Sequence, residues 1–346
     1  MGIKIENRTL TALKGVKVGH STHKDKLTGC TVVLFDRALP VGYSCYGGCP
    51  VTYNTDSLRE GKMNFYRHGL FIAGGSLSGL SCATEILKEI RKSKKGFRIG
   101  NQTMPSISGA AVYDLGAFLD SYDPLYGAEA AQNATEKPVE RGNAGAGTGT
   151  SVGKFSYEKG GLRLNMKSGV GSSRIDLGDG VMVCVLSVVN AVGNVILPNG
   201  KILAGNRDNK TKKFRTFEKE SLSADNDSNT TISIVGLNID LQTKENYDKI
   251  AQIASHGQVR AIKPLNTFRD GDTVFVFSTG KIKKPRFKSS IAAAWPEEYS
   301  HYLTLDVVAQ AAADAVQESI YDACIKAESV KFQGAFRKVV PAYKDY

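Results

Sequence analysis

No stretch of about 18 consecutive apolar residues, the length a bilayer core demands of a spanning helix, occurs in this 346-residue sequence. The opening MGIKIENRTLTALKG has no apolar core either, so neither a membrane segment nor a secretory signal is expected, and the expected compartment is the cytoplasm. Cysteine is sparse. Cys30, Cys45, Cys49, Cys82, Cys184 and Cys324 are scattered without any CxxC pair, which fits reduced thiols and argues against both a disulfide framework and a zinc site. No repeat of fixed period and no low-complexity linker divides the chain, so it reads as one continuous unit. What is left is an ordinary globular composition, 41% hydrophobic and 23% charged, able to build a substantial core.

Positive charge is in excess: 45 Lys and Arg against 34 Asp and Glu give a formal +11, which raises the question of nucleic-acid or acidic partners. The distribution argues against them. The basic residues gather in three separate places, Arg91 to Arg98, Lys210 to Arg215 and Lys281 to Lys288, each beside Gly, Pro or Asn and none within a recognisable binding motif. Solvated loops and helix ends account for them.

The sequence reads as strands layered with helices. Val32 to Phe35 is β-rich, and His68 to Ala73 runs into Gly74 and Gly75, a strand-then-turn signal. Leu80, Ile86, Leu87 and Ile90 then recur at helical spacing up to Gly96. Val181 to Val189 is almost continuously apolar, as in a strand buried on both faces, and Asn190 follows directly. Ser221 to Ser228 is polar and turn-forming before Thr230 to Leu237 switches to strand composition. Thr243 can cap a helix that ends near Gly257, Thr273 to Ser278 is a further strand, and Thr304 to Ala327 carries a small-residue stripe of Val307, Val308, Ala311, Ala315, Val316, Ile320 and Ala323.

Two glycine-rich segments invite familiar readings and fail them. In Asn143 to Lys154 (NAGAGTGTSVGK) the spacing from Gly149 to Gly153 is one residue short of a phosphate loop, Phe155 stands where a hydroxyl is needed, and no strand precedes the glycines as a dinucleotide fingerprint requires. A tight turn that delivers Lys154 to a site is the better use. In Gly74 to Gly79 a nucleophile elbow would need glycine at position 78, where serine stands, so a close strand-to-helix turn is expected. His20 and His23, with no Cys or acid cluster beside them in sequence, read as polar loop residues.

Asn229-Thr230-Thr231-Ile232 differs in kind. A hydroxyl residue that follows a polar loop and opens a buried strand is placed as a self-cleaving amidohydrolase needs it. Attack of the hydroxyl on the preceding carbonyl shifts the peptide to an ester, whose hydrolysis frees an α-amine with an ordinary pKa of roughly 7.7 to 8.0, suited to a general base. Threonine is also a common strand residue, so the segment taken alone reads first as a plain strand.

Eight segments in order resemble one family. VKVGHST at Val16 to Thr22, GGCPVTYNTD at Gly47 to Asp56, LFIAGGSLSGL at Leu70 to Leu80, AAVYDLG at Ala110 to Gly116, the run at Asn143 to Lys154, VVNAVGNVI at Val188 to Ile196, NTTISIVG at Asn229 to Gly236 and DGDTVFVFSTG at Asp270 to Gly280 are similar to the DmpA-type aminopeptidases and nylon-oligomer hydrolases, self-processing N-terminal-nucleophile amidohydrolases. The resemblance implies a four-layer α/β/β/α sandwich. It implies one hydrolase domain over 1–346, cut between Asn229 and Thr230 into a large subunit 1–229 and a small subunit 230–346. Thr230 is then the nucleophile, Asn190 the oxyanion donor, and Lys154 and Tyr113 line the site. Asp270 and Asp272, two apart at a strand entrance, can leave on one face and together hold the threonine's hydroxyl and ammonium. No metal and no organic cofactor are implied, the substrate is a small peptide or amide, and the assembly is a homo-oligomer, a tetramer of cleaved protomers. Asp at 270 leans toward the oligomer hydrolases and the GAGTG loop toward the aminopeptidases, so endo-hydrolysis of amide oligomers stays open. So does a non-catalytic binding protein that kept the fold.

Overall fold

The computed structural model describes residues 6–118, 122–155, 164–208, 210–217, 229–283, 300–332 and 339–346. The polar segment 221–228 and the basic residues 284–288 singled out in the sequence lie outside them.

Nine strands are joined by hydrogen bonds, eight in one continuous path and the first beside it as a further partner of the second. In chain order they are β1 (Val16–His23), β2 (Thr28–Cys45), β3 (Thr52–Tyr53), β4 (Tyr66–Ala73), β5 (Ile107–Ala111), β6 (Val170–Asp176), β7 (Met182–Asn190), β8 (Thr230–Ile239) and β9 (Thr273–Ile282). The helices are α1 (Cys82–Lys92), α2 (Leu125–Gln132), α3 (Lys244–Ala261) and α4 (Ser300–Lys326). The long strand β2 makes the fold: Thr28 to Phe35 pair with β1, Cys30 to Leu34 and, after a register shift, Leu39 and Pro40 pair with β4, and Val41 to Cys45 pair with β9. A strand that bends at such an irregularity can serve two sheets. One sheet therefore holds β1, β2, β4, β5 and β3, and the other runs β6–β7–β8–β9–β2. In the second sheet β8 and β9 are parallel and the remaining pairs are antiparallel.

Side-chain alternation assigns the layers. From β8, Ile232 and Ile234 pack with Leu186, Val188, Phe275 and Phe277 against Val33, Phe35, Leu70 and Ile72 of the first sheet. The intervening Val235, Leu237 and Ile239 face α3 and α4, where Ile250, Ala251, Ala254, Ala312, Val316 and Ile320 cover them. On the far side α1 and α2 cover Val32, Phe71 and Ile107. The order helix, sheet, sheet, helix is the α/β/β/α sandwich, and the continuous apolar composition of 181–189 follows from burial of β7 on both faces.

Local departures from the sequence reading have physical causes. α3 runs through Gly257 to Ala261: a Cβ at 257 would lie 2.0 Å from the Ala313 carbonyl oxygen, so glycine lets α3 and α4 close rather than ending the helix. α1 ends at Lys92, four residues before Gly96. Val307, assigned to the apolar stripe of α4 by spacing, is 44% exposed, whereas Val308 is buried. His20 and His23 lie on β1, not in a loop. His23 meets Ser21 at 2.8 Å and Glu129 at 3.0 Å and stacks on Tyr126.

Candidate active site

Thr230 begins β8 and is buried between β7 and β9. Its register partner across the antiparallel pair is Asn190, the last residue of β7, so the two side chains leave on the same face. Asn190 is fully buried among polar neighbours. Its Oδ1 accepts from Lys154 Nζ at 2.7 Å and from the Ser151 amide at 3.2 Å, and its Nδ2 donates to the Tyr113 carbonyl at 2.8 Å. With Nδ2 thereby oriented, its second hydrogen is the one available for other work.

Lys154 comes from the glycine-rich run. The segment turns through a short 3-10 helix at Gly145–Gly147 and a left-handed Gly153, whose Cβ would lie 1.9 Å from the Asn206 amide. That turn places the ammonium of Lys154, a residue 5% exposed, on both oxygens of Asn190, the second bond running to its main-chain carbonyl at 3.0 Å.

On the other flank lie the two aspartates. Asp272 Oδ1 accepts from the Thr231 amide at 2.6 Å and Oδ2 from the Asn266 amide at 3.0 Å, while Asp270 Oδ2 accepts from the Thr267 amide at 2.7 Å. Asp270 Oδ1 is buried and accepts no hydrogen bond among the described residues. Burial first, and Asp270 beside it second, push the Asp272 carboxyl up to about 8 against the pull of those amides and of Lys154. Burial raises Asp270 as well.

The β8–β9 ladder is broken where these groups meet. Its register, Ile232 to Thr273 onward, resumes at Asn229 opposite Asp270, where the Asn229 amide donates to Arg269 O at 3.2 Å and the Gly271 amide donates to Asn229 O at 2.7 Å. Between the two, the Thr231 amide is diverted to Asp272 and the Thr273 hydroxyl takes Gly271 O. The Thr230 hydroxyl lies against Gly271, where a Cβ would approach it to 3.0 Å.

Three buried polar residues outside the set picked from sequence hold this arrangement. Asp114 accepts from Thr28 Oγ1, the Gly75 amide and the Ala117 amide, which pins the turn carrying Tyr113. Burial raises its carboxyl to about 6. Lys167, fully buried and lowered by burial to about 7, donates Nζ to Gly147 O at 2.8 Å and to Ser168 O, and Ser168 Oγ donates to Val189 O just before Asn190. Gln258 of α3 donates Nε2 to Thr231 O, Ser233 Oγ and Thr273 O, tying the helix to the ends of β8 and β9. A polar side chain beside Ala251, Ala254 and Ala261 on the buried face of α3 marks Gln258 in the sequence; nothing local marks Lys167, whose Nζ reaches the distant Gly147 O as well as the adjacent Ser168 O.

Asp272 gives the intact chain a characteristic pH response. A carboxyl raised by folding contributes stability fully present below its ordinary value near 3.8 and lost as pH climbs toward about 8. In the Thr230→Ala background, the melting temperature is therefore expected to fall less between pH 5 and 8 when Asp272→Asn is added, whatever constant penalty the lost acceptor imposes. Parallel Tm-against-pH curves for the two variants would refute the assignment.

On this α/β/β/α sandwich, a hydroxyl residue opening a central strand beside a buried amide, a lysine and paired carboxylates supplies the groups that attack on an amide carbonyl requires, the site of an amide-bond hydrolase. The chain belongs to peptidase family S58, whose model matches residues 8–337. It is 29% identical to an uncharacterized aminopeptidase of Mycobacterium tuberculosis (strain ATCC 25618 / H37Rv), over 96% of this chain and 98% of that one. It is 27% identical to a 6-aminohexanoate-oligomer endohydrolase of Kocuria sp. (strain KY2), covering 78% of this chain and 75% of that protein. Among solved structures, the L-aminopeptidase D-Ala-esterase/amidase from Ochrobactrum anthropi, a variant of the Ntn hydrolase fold, superposes with a TM-score of 0.69 over 99% of this chain and 92% of that one at 19% identity. That likeness is one of fold.

Proposed function

We propose that the chain is a self-processing aminopeptidase-like amidohydrolase, without metal or organic cofactor, in which Thr230 attacks the Asn229 carbonyl and divides one hydrolase domain into 1–229 and 230–346. The freed amine then acts as base for the same hydroxyl. The supporting observation is the position of Thr230: buried at the start of a central strand, its side chain on the face of Asn190 and its peptide flanked by Gly271 and Asp272. In turnover the hydroxyl adds to a substrate carbonyl, Asn190 Nδ2 donates to the developing oxyanion, the amine leaves as the acyl group passes to Thr230, and water completes the cycle. Asp270 Oδ1, buried and still short of a donor among the described residues, is an acceptor for the ammonium that cleavage creates. Lys154 holds the Asn190 amide in its orientation.

The exopeptidase reading draws support from the aminopeptidase relatives, which align over 96% of the chain. The endo-acting alternative draws it from the relative that acts on 6-aminohexanoate oligomers. Peptides with a free and with an acetylated amino end separate them, since only an endo-hydrolase cuts the acetylated series. The proposal further places the enzyme in the cytoplasm as a tetramer of cleaved protomers, a size that sedimentation of the native protein measures.

Intact mass tests the central claim. The 37.3 kDa chain is expected to appear as fragments of 229 and 346 − 229 = 117 residues, the smaller beginning Thr-Thr-Ile-Ser-Ile. Full hydrolytic activity from a chain that stays whole would overturn the mechanism.

A further inference from the structure

We propose that self-cleavage and turnover use different oxyanion donors: the Gly271 main-chain N–H serves the first step of processing, and Asn190 serves only carbonyls attached to, or arriving at, the Thr230 hydroxyl. The inference rests on the self-processing reading above and assigns a catalytic role to a backbone group.

It comes from the two sides of β8. The Asn229 carbonyl oxygen points toward β9, where the Gly271 amide donates to it at 2.7 Å. Asn190 lies on β7, the opposite neighbour of β8. A strand carbonyl directed at one neighbour cannot receive a donor from the other without rotation of its peptide, and this peptide is tied on both sides. The Asn229 amide is held by Arg269 O, and the Thr231 amide by Asp272 Oδ1. The group already polarising the scissile carbonyl is therefore the ladder N–H of Gly271. Crowding agrees with this assignment, because a side chain at 271 would press on the Thr230 hydroxyl at 3.0 Å and on Cys49 O at 3.1 Å.

The chemistry then divides cleanly. Thr230 Oγ forms a bond to the Asn229 carbonyl carbon, and the charge that develops on Asn229 O is met by Gly271 N–H. Collapse breaks the C–N bond, its electron pair stays on nitrogen, and the hydroxyl proton ends there. The product is an ester of Asn229 on Thr230 Oγ, a species of the same kind as the acyl-enzyme of turnover. Its carbonyl has left the ladder and stands on the face of β8 that Asn190 shares. Water then adds to the ester; Thr230 recovers its hydroxyl and Asn229 departs as a carboxylate.

Two variants of the full-length chain, assayed beside the wild type, test this. In the first, glycolic acid replaces Gly271, so that an ester oxygen stands where the N–H was. Removing one oxyanion donor slows such a step by about two to three powers of ten, and the accumulated species is expected to be intact chain, read by mass. The second is Asn190→Ala, which is expected to form the Thr230 ester and then stall. Brief hydroxylamine treatment of the denatured protein should split that ester and yield a 1–229 fragment ending in a hydroxamate. Wild-type cleavage rates in the glycolic-acid variant would overturn the proposal, as would an Asn190→Ala chain that is intact and insensitive to hydroxylamine. A wild-type chain that never splits would instead defeat the self-processing reading itself, so the two failures are distinguishable.

Discussion

Thr230→Ala protein is expected to purify as one uncut chain and to hydrolyse amide substrates more slowly by roughly six powers of ten, the loss seen when a hydrolase nucleophile is deleted outright. Both effects have one origin in the proposed mechanism, in which the hydroxyl attacks the Asn229 carbonyl in processing and the substrate carbonyl in turnover, and the amine that serves as base exists only after the first event. Thr230→Ser retains the attacking oxygen and loses only a methyl group from a tightly enclosed position, so it should keep part of both activities. Mass of the purified variants and release of amine from a peptide amide measure the two readouts. An uncut Thr230→Ala chain with more than a percent of wild-type kcat would place the nucleophile elsewhere.

Removal of the Asn190 donor is the second large effect, a fall of about two to three powers of ten in kcat with a smaller change in KM. Truncation to alanine also strips Lys154 and the Ser151 amide of their acceptor, so for kcat a second variant is read beside it. Asn190→Asp keeps an acceptor for both and deletes the N–H, together with the bond to the Tyr113 carbonyl and with one added negative charge. If Asn190→Asp loses kcat as Asn190→Ala does, the donor matters; if Asn190→Asp turns over normally, the side chain serves Lys154 and not the oxyanion.

Much of the fold was legible because its cues are local. Continuous β-branched composition marked β7, the abrupt switch at Thr230 marked β8, and helical spacing marked α1, α3 and α4. Misreadings arose where tertiary contact decides. Gly257 looks like a helix stop until the Ala313 carbonyl beside it is known, and the bend that sends β2 into both sheets has no sequence signature in FDRALP. At the site, the motifs picked out Thr230, Asn190, Lys154, Asp270 and Asp272, which meet around the end of β8. Tyr113 enters through its main-chain carbonyl, a contact that side-chain chemistry could not foretell. The buried supports Asp114 and Lys167 reach a backbone amide and oxygen distant in the chain, those of Gly75 and Gly147, and residue type alone does not report those.

The strand order β6–β7–β8–β9–β2 interleaves residues on either side of position 229. A cut there would leave two chains woven through one sheet, with β8 and β9 of the small piece clasped between β7 and β2 of the large one. The mature protein would then be a heterodimer whose reassembly after unfolding depends on concentration, whereas its precursor folds as a single chain. Each molecule would carry a fold that its own products cannot regain by a unimolecular route, so that its durability is set by how slowly the halves part rather than by an equilibrium between folded and unfolded chain.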